Sequence, residues 1–305
     1  MTEQQTPKLD RPPARDTARE RSAGGAPSES AGRRRGRPPL LVSLSLLFLA
    51  GVAVCAVLGT WLAPQDPSEQ DPSLSVTSPG GGHLLGTDVL GRDVFSRVIV
   101  GTLSAVAGPL IAAIGILLIG TLLGLLAGYH GGRVDAVISR GADMLYSMPA
   151  LLVAIVVVGI VSGSYVLTIG VIVVLNVPGT VRLVRSAAIA QARLSYVDAA
   201  RALGVRPLVI VTRHILPNVM PTVVATFLLE FVTALVSFSA LSFLGLGVAP
   251  GSANWGTMLA EGQELIFDNP MMSLAPALLI VATATSATIA GDWLYDRTAL
   301  KAEAR

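Results

Sequence analysis

Apolar residues in this chain gather in long unbroken runs, and polar residues collect in the intervals between them. Six runs stand out, at 40–63, 98–127, 149–161 with its flanks, 165–181, 221–248 and 274–291. A helix needs about 20 residues to cross roughly 30 Å of hydrocarbon. The pattern therefore predicts an all-α membrane protein with six transmembrane helices. Only Ser162-Gly163-Ser164 separates the third and fourth runs, which predicts a tight helical hairpin. The organisation that follows is a polar tail at 1–38, a first transmembrane helix at 39–63 and an extracytoplasmic segment at 64–97. A five-helix core at 98–292 comes next, holding a coupling loop at 186–218 between the fourth and fifth helices. A second tail at 293–305 ends the chain.

Composition supports the class: hydrophobic residues make up 52% of the 305 residues and charged residues 14%. The formal net charge of +2 says little, but its distribution orients the chain. With the N-terminus inside, Lys and Arg number nine in the first tail, two in the second-to-third loop (Arg133, Arg140), six in the fourth-to-fifth loop and three in the last tail. The opposite side has only Arg92 and Arg97, and its last loop has Glu261, Glu264 and Asp268 without a base. Positive charge stays in the cytoplasm, so both termini are expected there.

Residues 1–38 are rich in Arg, Pro, Ser and Gly with almost nothing to bury, and are predicted to be disordered. The tail reads as a solvated segment beside anionic membrane lipid rather than a nucleic-acid-binding arm. Arg33-Arg34-Arg35 ahead of an apolar run resembles the start of a signal peptide. That run is too long for one and five more follow, so a retained helix is expected. Cys55, the only cysteine, falls within it and reads as packing.

The only lysines are Lys8 and Lys301, neither in a Gly-rich loop, so no phosphate-binding Gly-x-x-x-x-Gly-Lys-Ser/Thr loop exists and any ATP must be held by another polypeptide. His83, His130 and His214 are scattered, with no His-Glu-x-x-His pair and no Gly-x-Ser-x-Gly turn. No catalytic residue, cofactor site or metal site is expected in this chain, and it is not expected to be an enzyme.

The polar interval at 186–218 carries the most specific signal. Ser195 is placed to cap a short helix with Asp198 three residues on. Ala199, Ala200 and Ala202 would give that helix a bare surface, and Gly204 a C-terminal stop. Pro207 would open a second short helix that Pro217 closes. Such a unit is either a lever gripped by a partner or a hairpin that merely joins two spans. Within the runs, Gly120-x-x-x-Gly124-x-x-x-Gly128 allows close helix crossing, inside this chain or with a second membrane chain. Asn176-Val177-Pro178-Gly179 interrupts the fourth run, and Pro149 and Pro276 lie at or in the third and sixth. Glu230 is the one acid inside an apolar run, a candidate with Asn176 for the solute path, or for pairing with an Arg of a partner. Its other reading is a helix-capping Glu nearer the cytoplasmic side.

Asp198-Ala199-Ala200-x-x-x-Gly204, then nine residues and His214-x-Leu216-Pro217, resembles the Glu-Ala-Ala loop of bacterial ABC importer permeases. Arg213-His214-Ile215-Leu216-Pro217-Asn218 resembles the dipeptide, oligopeptide and nickel branch. Further stretches are similar to that branch: Gly86-Thr87-Asp88 with Gly91-Arg92-Asp93 and Arg97; Ala127-Gly128-Tyr129 with Asp135; 241–247 followed by Trp255-Gly256-Thr257; and Gly291-Asp292 with Asp296. The chain departs from the family in lacking a Glu near Phe238 and in having Tyr295 where an Arg is common.

The resemblance implies a permease in the bacterial inner membrane, importing di- or oligopeptides. It implies Asp198, Ala199, Ala200, Arg201, Gly204, His214, Leu216 and Pro217 as the ATPase-coupling residues. Gly86, Asp88, Gly91, Arg92, Asp93 and Trp255 would form the external face against which a binding protein delivers cargo. Expected partners are a second, non-identical permease, two ABC ATPase subunits carrying ATP and Mg, an extracytoplasmic substrate-binding protein and membrane lipid, with no nucleic acid. The alternative is an ATP-independent secondary transporter or channel that uses Glu230. A structural membrane partner of some other complex is a third reading.

Overall fold

Helix starts are set by caps more than by hydropathy. The first, α1 (Leu40–Leu62), follows the apolar run closely and turns Leu40 and Trp61 outward, at 85% and 88% exposure. The second, α2 (Val94–His130), begins before the apolar run because the Asp93 carboxylate accepts the Ser96 amide at 2.8 Å. The computed structural model describes residues 39–161 and 164–303, with side chains as far as Arg297. The disorder predicted at 1–38 and the turn expected at Ser162-Gly163 lie outside these residues.

The third apolar run does not form a straight span. An amphipathic α3 (Gly132–Tyr146) meets the short apolar α4 (Ala150–Ile160) at a bend of 78°. Pro149 causes the bend: it cannot donate to a helical ladder, and it pushes the residue before it out of helical conformation. With 11 residues, α4 is only about 16 Å long, too short to cross alone. Its Ala154 packs in a cluster with Ile169 and Ile172 of the next helix, α5 (Tyr165–Ala192). The interruption predicted at 176–179 does not occur, because α5 runs unbroken through Pro178.

The glycine stripe of α2 packs directly against α5. A Cβ added at Gly120, Gly124 or Gly128 would lie 2.6, 2.8 and 2.6 Å from the Cβ atoms of Thr180, Val184 and Ala188. Those three residues recur every fourth position on α5, so two ridges of period four interlock with no side chain between them. The choice left open by the sequence is settled: the stripe packs inside this chain.

After α5 come the short helix α6 (Ser195–Ala202) and α7 (Pro207–Val209), then a π-helical turn at Ile210–Ile215 and α8 (Leu216–Phe243). Helix α9 (Trp255–Gln263) lies across the far end, and α10 (Met271–Glu303) returns along α8 and α1. The boundary expected at 292–293 falls inside α10, which stays helical through it and through Pro276. Among the described residues five helices are long and apolar enough to cross a membrane, or six if the bent α3–α4 pair counts as one. The described helices belong to one unit that starts at Pro39.

Candidate functional site

At the α6 end of the bundle, Val197 and Ala200 point inward and join a core of Leu125, Val184, Ala188, Ile210, Ile215 and Val219. Asp198, Ala199, Arg201 and Ala202 face outward. Two expectations are corrected here. Ala200 is 8% exposed and belongs to the core, because α6 must bury one face to stay on the bundle. Ser195 is the first helical residue rather than the cap; Leu194 holds the cap position with no side-chain hydrogen bond. Asp198 remains in the first turn, where a negative charge suits the helix dipole, and pairs with Arg201 at 3.1 Å.

The stop at Gly204 behaves as predicted. Its φ of 75° lies in the left-handed region, which a side chain disfavours. The Val205 amide reaches the Ala200 carbonyl at 3.1 Å and the Gly204 amide reaches Arg201 at 3.0 Å. This double closure satisfies the end of α6 and turns Val205 against the core.

Pro217 does not close a second helix. A single helical run extends from Pro207 to Phe243. The missing amide of Pro217 is absorbed by the widened π turn just before it, where the Leu216 amide bonds back to Val211. The His214 carbonyl accepts the Asn218 side-chain amide at 2.7 Å. The Tyr196 hydroxyl donates to Gln191 Oε1 at 2.9 Å and accepts from Asn218 Nδ2 at 3.2 Å. Together these bonds tie α6 to the end of α5 and the start of α8. On the other side, Asp135 of α3 receives both Arg185 Nε and Arg185 Nη2 of α5, and Asp143 receives Arg182 at 2.6 Å.

At the opposite end, the motif at 86–97 is a buried brace. Asp88, Arg92, Asp93 and Arg97 are 1%, 7%, 4% and 1% exposed, and Trp255 is fully buried. Asp88 Oδ2 receives Arg92 Nε at 2.6 Å and also Arg97, which reaches on to Glu261 Oε2 at 2.8 Å. Arg92 Nη1 donates to the Gly251 carbonyl at 2.9 Å, and Asp93 holds His83 Nδ1 at 3.0 Å. Trp255 Nε1 donates to the Val98 carbonyl at 3.0 Å, and the Asn269 amide to Leu85 and Thr87. Gly86 and Gly91 have φ of 74° and 73°; a Cβ at Gly91 would run into the Asp71 backbone. Hydrogen bonds from the Ser73 hydroxyl and amide hold the exposed Asp71 carboxyl below its ordinary value. These motif residues are therefore corrected from a presented surface to the scaffold beneath one. Their polar groups are spent on each other.

Glu230 sits at the midpoint of the 28-residue α8. The Thr180 hydroxyl donates to Glu230 Oε1 at 2.8 Å, and Gly179 faces the same oxygen. Asn176 lies one turn earlier on α5, its amide on the Ile172 carbonyl at 2.8 Å. The structure thus brings both path candidates to one α5–α8 seam. It places the coupling residues at one end of the bundle and the external motif at the other. Among the described residues no group of three His, Cys, Asp or Glu stands together as a metal site.

Residues 120–300 match the model of the binding-protein-dependent transport system inner membrane component family. The chain belongs to this family. It is 34% identical over 265 residues to the glutathione transport system permease protein of Pectobacterium atrosepticum, covering 87% of this chain and 88% of the relative. The di/tripeptide transport system permease protein of Pseudomonas aeruginosa is 37% identical over 257 residues, covering 82% and 85%. By structure, the MetNI methionine ABC transporter aligns with a TM-score of 0.55 at 18% identity, covering 67% of this chain and 97% of that one. That likeness speaks for the fold alone. This permease is accordingly a multi-pass membrane transport subunit of the dipeptide and glutathione family.

Several contacts in the permease were not legible in its sequence. Asn218 was visible only as part of a motif, and its bond with Tyr196, like that of Tyr196 with Gln191, follows no spacing rule. Glu261 stands 164 residues from Arg97, so only the fold pairs them.

Proposed function

We propose that this permease is one of two non-identical membrane subunits of an ATP-driven importer of di- and oligopeptides. The observation that carries the reading is α6: bare and charged outward, buried inward, and tied by hydrogen bonds to both α5 and α8. A partner pressing on Ala199 and Ala202 would move two long helices together instead of bending a loop. The residues proposed for that contact are Asp198, Ala199, Arg201, Ala202 and Gly204. Ala200 serves the same unit as packing from inside it, and the partly buried His214 and Leu216 with the exposed Pro217 form its hinge.

Two ATPase subunits would dock at this end, which we place in the cytoplasm. Arg193, Arg201, Arg206 and Arg213 crowd there, and the rule for positive charge supports the assignment. Both termini then lie on the same side, with α3–α4 as the third of six spans. A binding protein would deliver peptide at the α9 end, on the surface that the Asp88–Arg97–Glu261 brace supports. Nucleotide closure at one end and cargo at the other would bias the same pair of states.

The deciding experiment is mild-detergent purification of the tagged chain from its native membrane, followed by mass spectrometry. ATPase subunits and a second permease are expected to copurify. The mid-span position of Glu230 favours one rival, a carrier that works without ATP. A chain that comes alone and moves solute in vesicles without ATP would establish that rival.

A further inference from the structure

We propose that Glu230, with Thr180 and Asn176, is the point in the membrane where this permease recognises the primary ammonium group of a passing peptide. The inference rests on the importer reading above and adds to it a chemical class and a set of atoms.

Depth comes first. At the midpoint of α8, Glu230 is about 20 Å of helix from either end, so it is neither a cap nor an interfacial residue. An acid at that depth is retained at a cost unless something meets it. Among the described residues no Lys, Arg or His forms an ion pair with it; the other ion pairs lie toward the two ends of the bundle. The Thr180 hydroxyl is a single neutral donor, and a carboxylate has room for several more.

Access comes next. Glu230 is only partly buried, and its neighbour across the seam is Gly179, whose lack of a side chain leaves the approach to Oε1 open. Asn176, one turn before Thr180 on α5, spends its amide nitrogen on the Ile172 carbonyl, which leaves its own carbonyl oxygen as an acceptor. Along α8 the residues before and after Glu230 on that face are Thr222, Thr226, Thr233 and Ser237. With Glu230, these are the polar residues of α8 between Pro221 and Phe238. The Thr226 and Thr233 hydroxyls are each satisfied by a carbonyl four residues back, at 2.8 and 3.0 Å, and Thr226 is buried, which leaves Glu230 as the group on this face with acceptor capacity to spare.

Geometry then selects the ligand. A carboxylate oxygen, an amide carbonyl and a hydroxyl oxygen, set around a glycine gap, offer separate acceptors to a compact donor. An ammonium has three donors arranged to use them, whereas a guanidinium prefers both oxygens of one carboxylate in a plane. Thr180 already occupies Oε1, which disfavours the planar grip.

The test is uptake of radiolabelled dialanine, and of N-acetyl-dialanine, into native-membrane vesicles supplied with ATP and the binding protein. Wild type, Glu230→Gln and Glu230→Asp are compared, and copurification of the partner subunits is measured for each. Losing a charge-assisted contact is expected to cut dialanine uptake about ten- to hundredfold in Glu230→Gln. Any uptake of the acetylated peptide should stay at its wild-type level, and Glu230→Asp should recover most of the loss. The proposal is overturned if Glu230→Gln carries dialanine like wild type, or if both peptides fall together. Loss of the second permease from the Glu230→Gln complex also overturns it, assigning the acid to a cation of that subunit. Wild-type vesicles that import neither peptide, or import dialanine without ATP, would remove the importer reading and this proposal with it.

Discussion

Ala199 and Ala200 are neighbours of equal size, and the fold gives them opposite work. Ala199 faces out from α6, whereas Ala200 is in the core beside Val184 and Ile215. Ala199→Trp is expected to leave folded yield unchanged and to abolish copurification of the ATPases. Ala200→Trp should instead lower folded yield, because overfilling a packed core costs about 1–3 kcal/mol. Detergent-extracted yield by size-exclusion chromatography, with a pull-down, reads both. A second residue-scale expectation concerns Arg97, 1% exposed and shared by Asp88 and Glu261. Arg97→Met leaves Asp88 and Glu261 to Arg92 alone, which holds Asp88 at 2.6 Å and Glu261 only at 3.6 Å, a loss below the ~3–5 kcal/mol of a fully unpaired buried charge. The thermal midpoint in detergent should fall by several degrees, and further than for Arg182→Met, whose ion pair is exposed.

Elements show best what was legible in the chain. The apolar runs placed the starts of α1, α2, α5, α8 and α10 within five residues, but α5 and α10 run on 11 and 12 residues past the apolar stretch, since a helix continues beyond the hydrocarbon wherever it can pack or cap. Proline was a weaker guide. Pro149 breaks a helix, while Pro178, Pro217 and Pro276 do not, since packing or a π turn can take up one missing hydrogen bond. The small-residue stripe on α2 was visible, but not which helix fills it, because a stripe names a close approach and not a partner. Its expected behaviour is specific. Gly124→Ala puts a Cβ 2.8 Å from that of Val184 and 3.0 Å from two backbone atoms of α5, so the helices must separate. Gly141→Ala on α3 meets nothing within 4 Å and should be neutral or slightly stabilising. Protease resistance of the two variants in detergent checks the contrast.

For the whole molecule, orientation is the property that ties the two candidate ends to two compartments. Cys55 is the only cysteine, so a Cys55→Ser background makes the chain a clean subject for labelling. Leu203 and Phe267, 83% and 96% exposed, stand beyond the two ends of the bundle. A membrane-impermeant maleimide is expected to label Phe267→Cys in right-side-out vesicles and Leu203→Cys only in inverted ones. The reverse pattern would put α6 outside and remove any role with cytoplasmic ATPases. The family could be read from short motifs, and the place of α6 from the polar interval between two apolar runs. The polar brace at the other end could not, since it joins residues from 83 to 269 that acquire meaning only when brought together.

That brace also orders the life of the chain during synthesis. Arg97 leaves the ribosome 164 residues before Glu261 exists. At about 5–20 residues per second, it waits on the order of ten seconds or more for that partner. Asp88, only nine residues away, serves as its escort through the interval. Glu261 then arrives with α9 and locks the first external segment to the last. Completion of the outer cap is thereby postponed until nearly every span has been made, so that a truncated permease cannot close it.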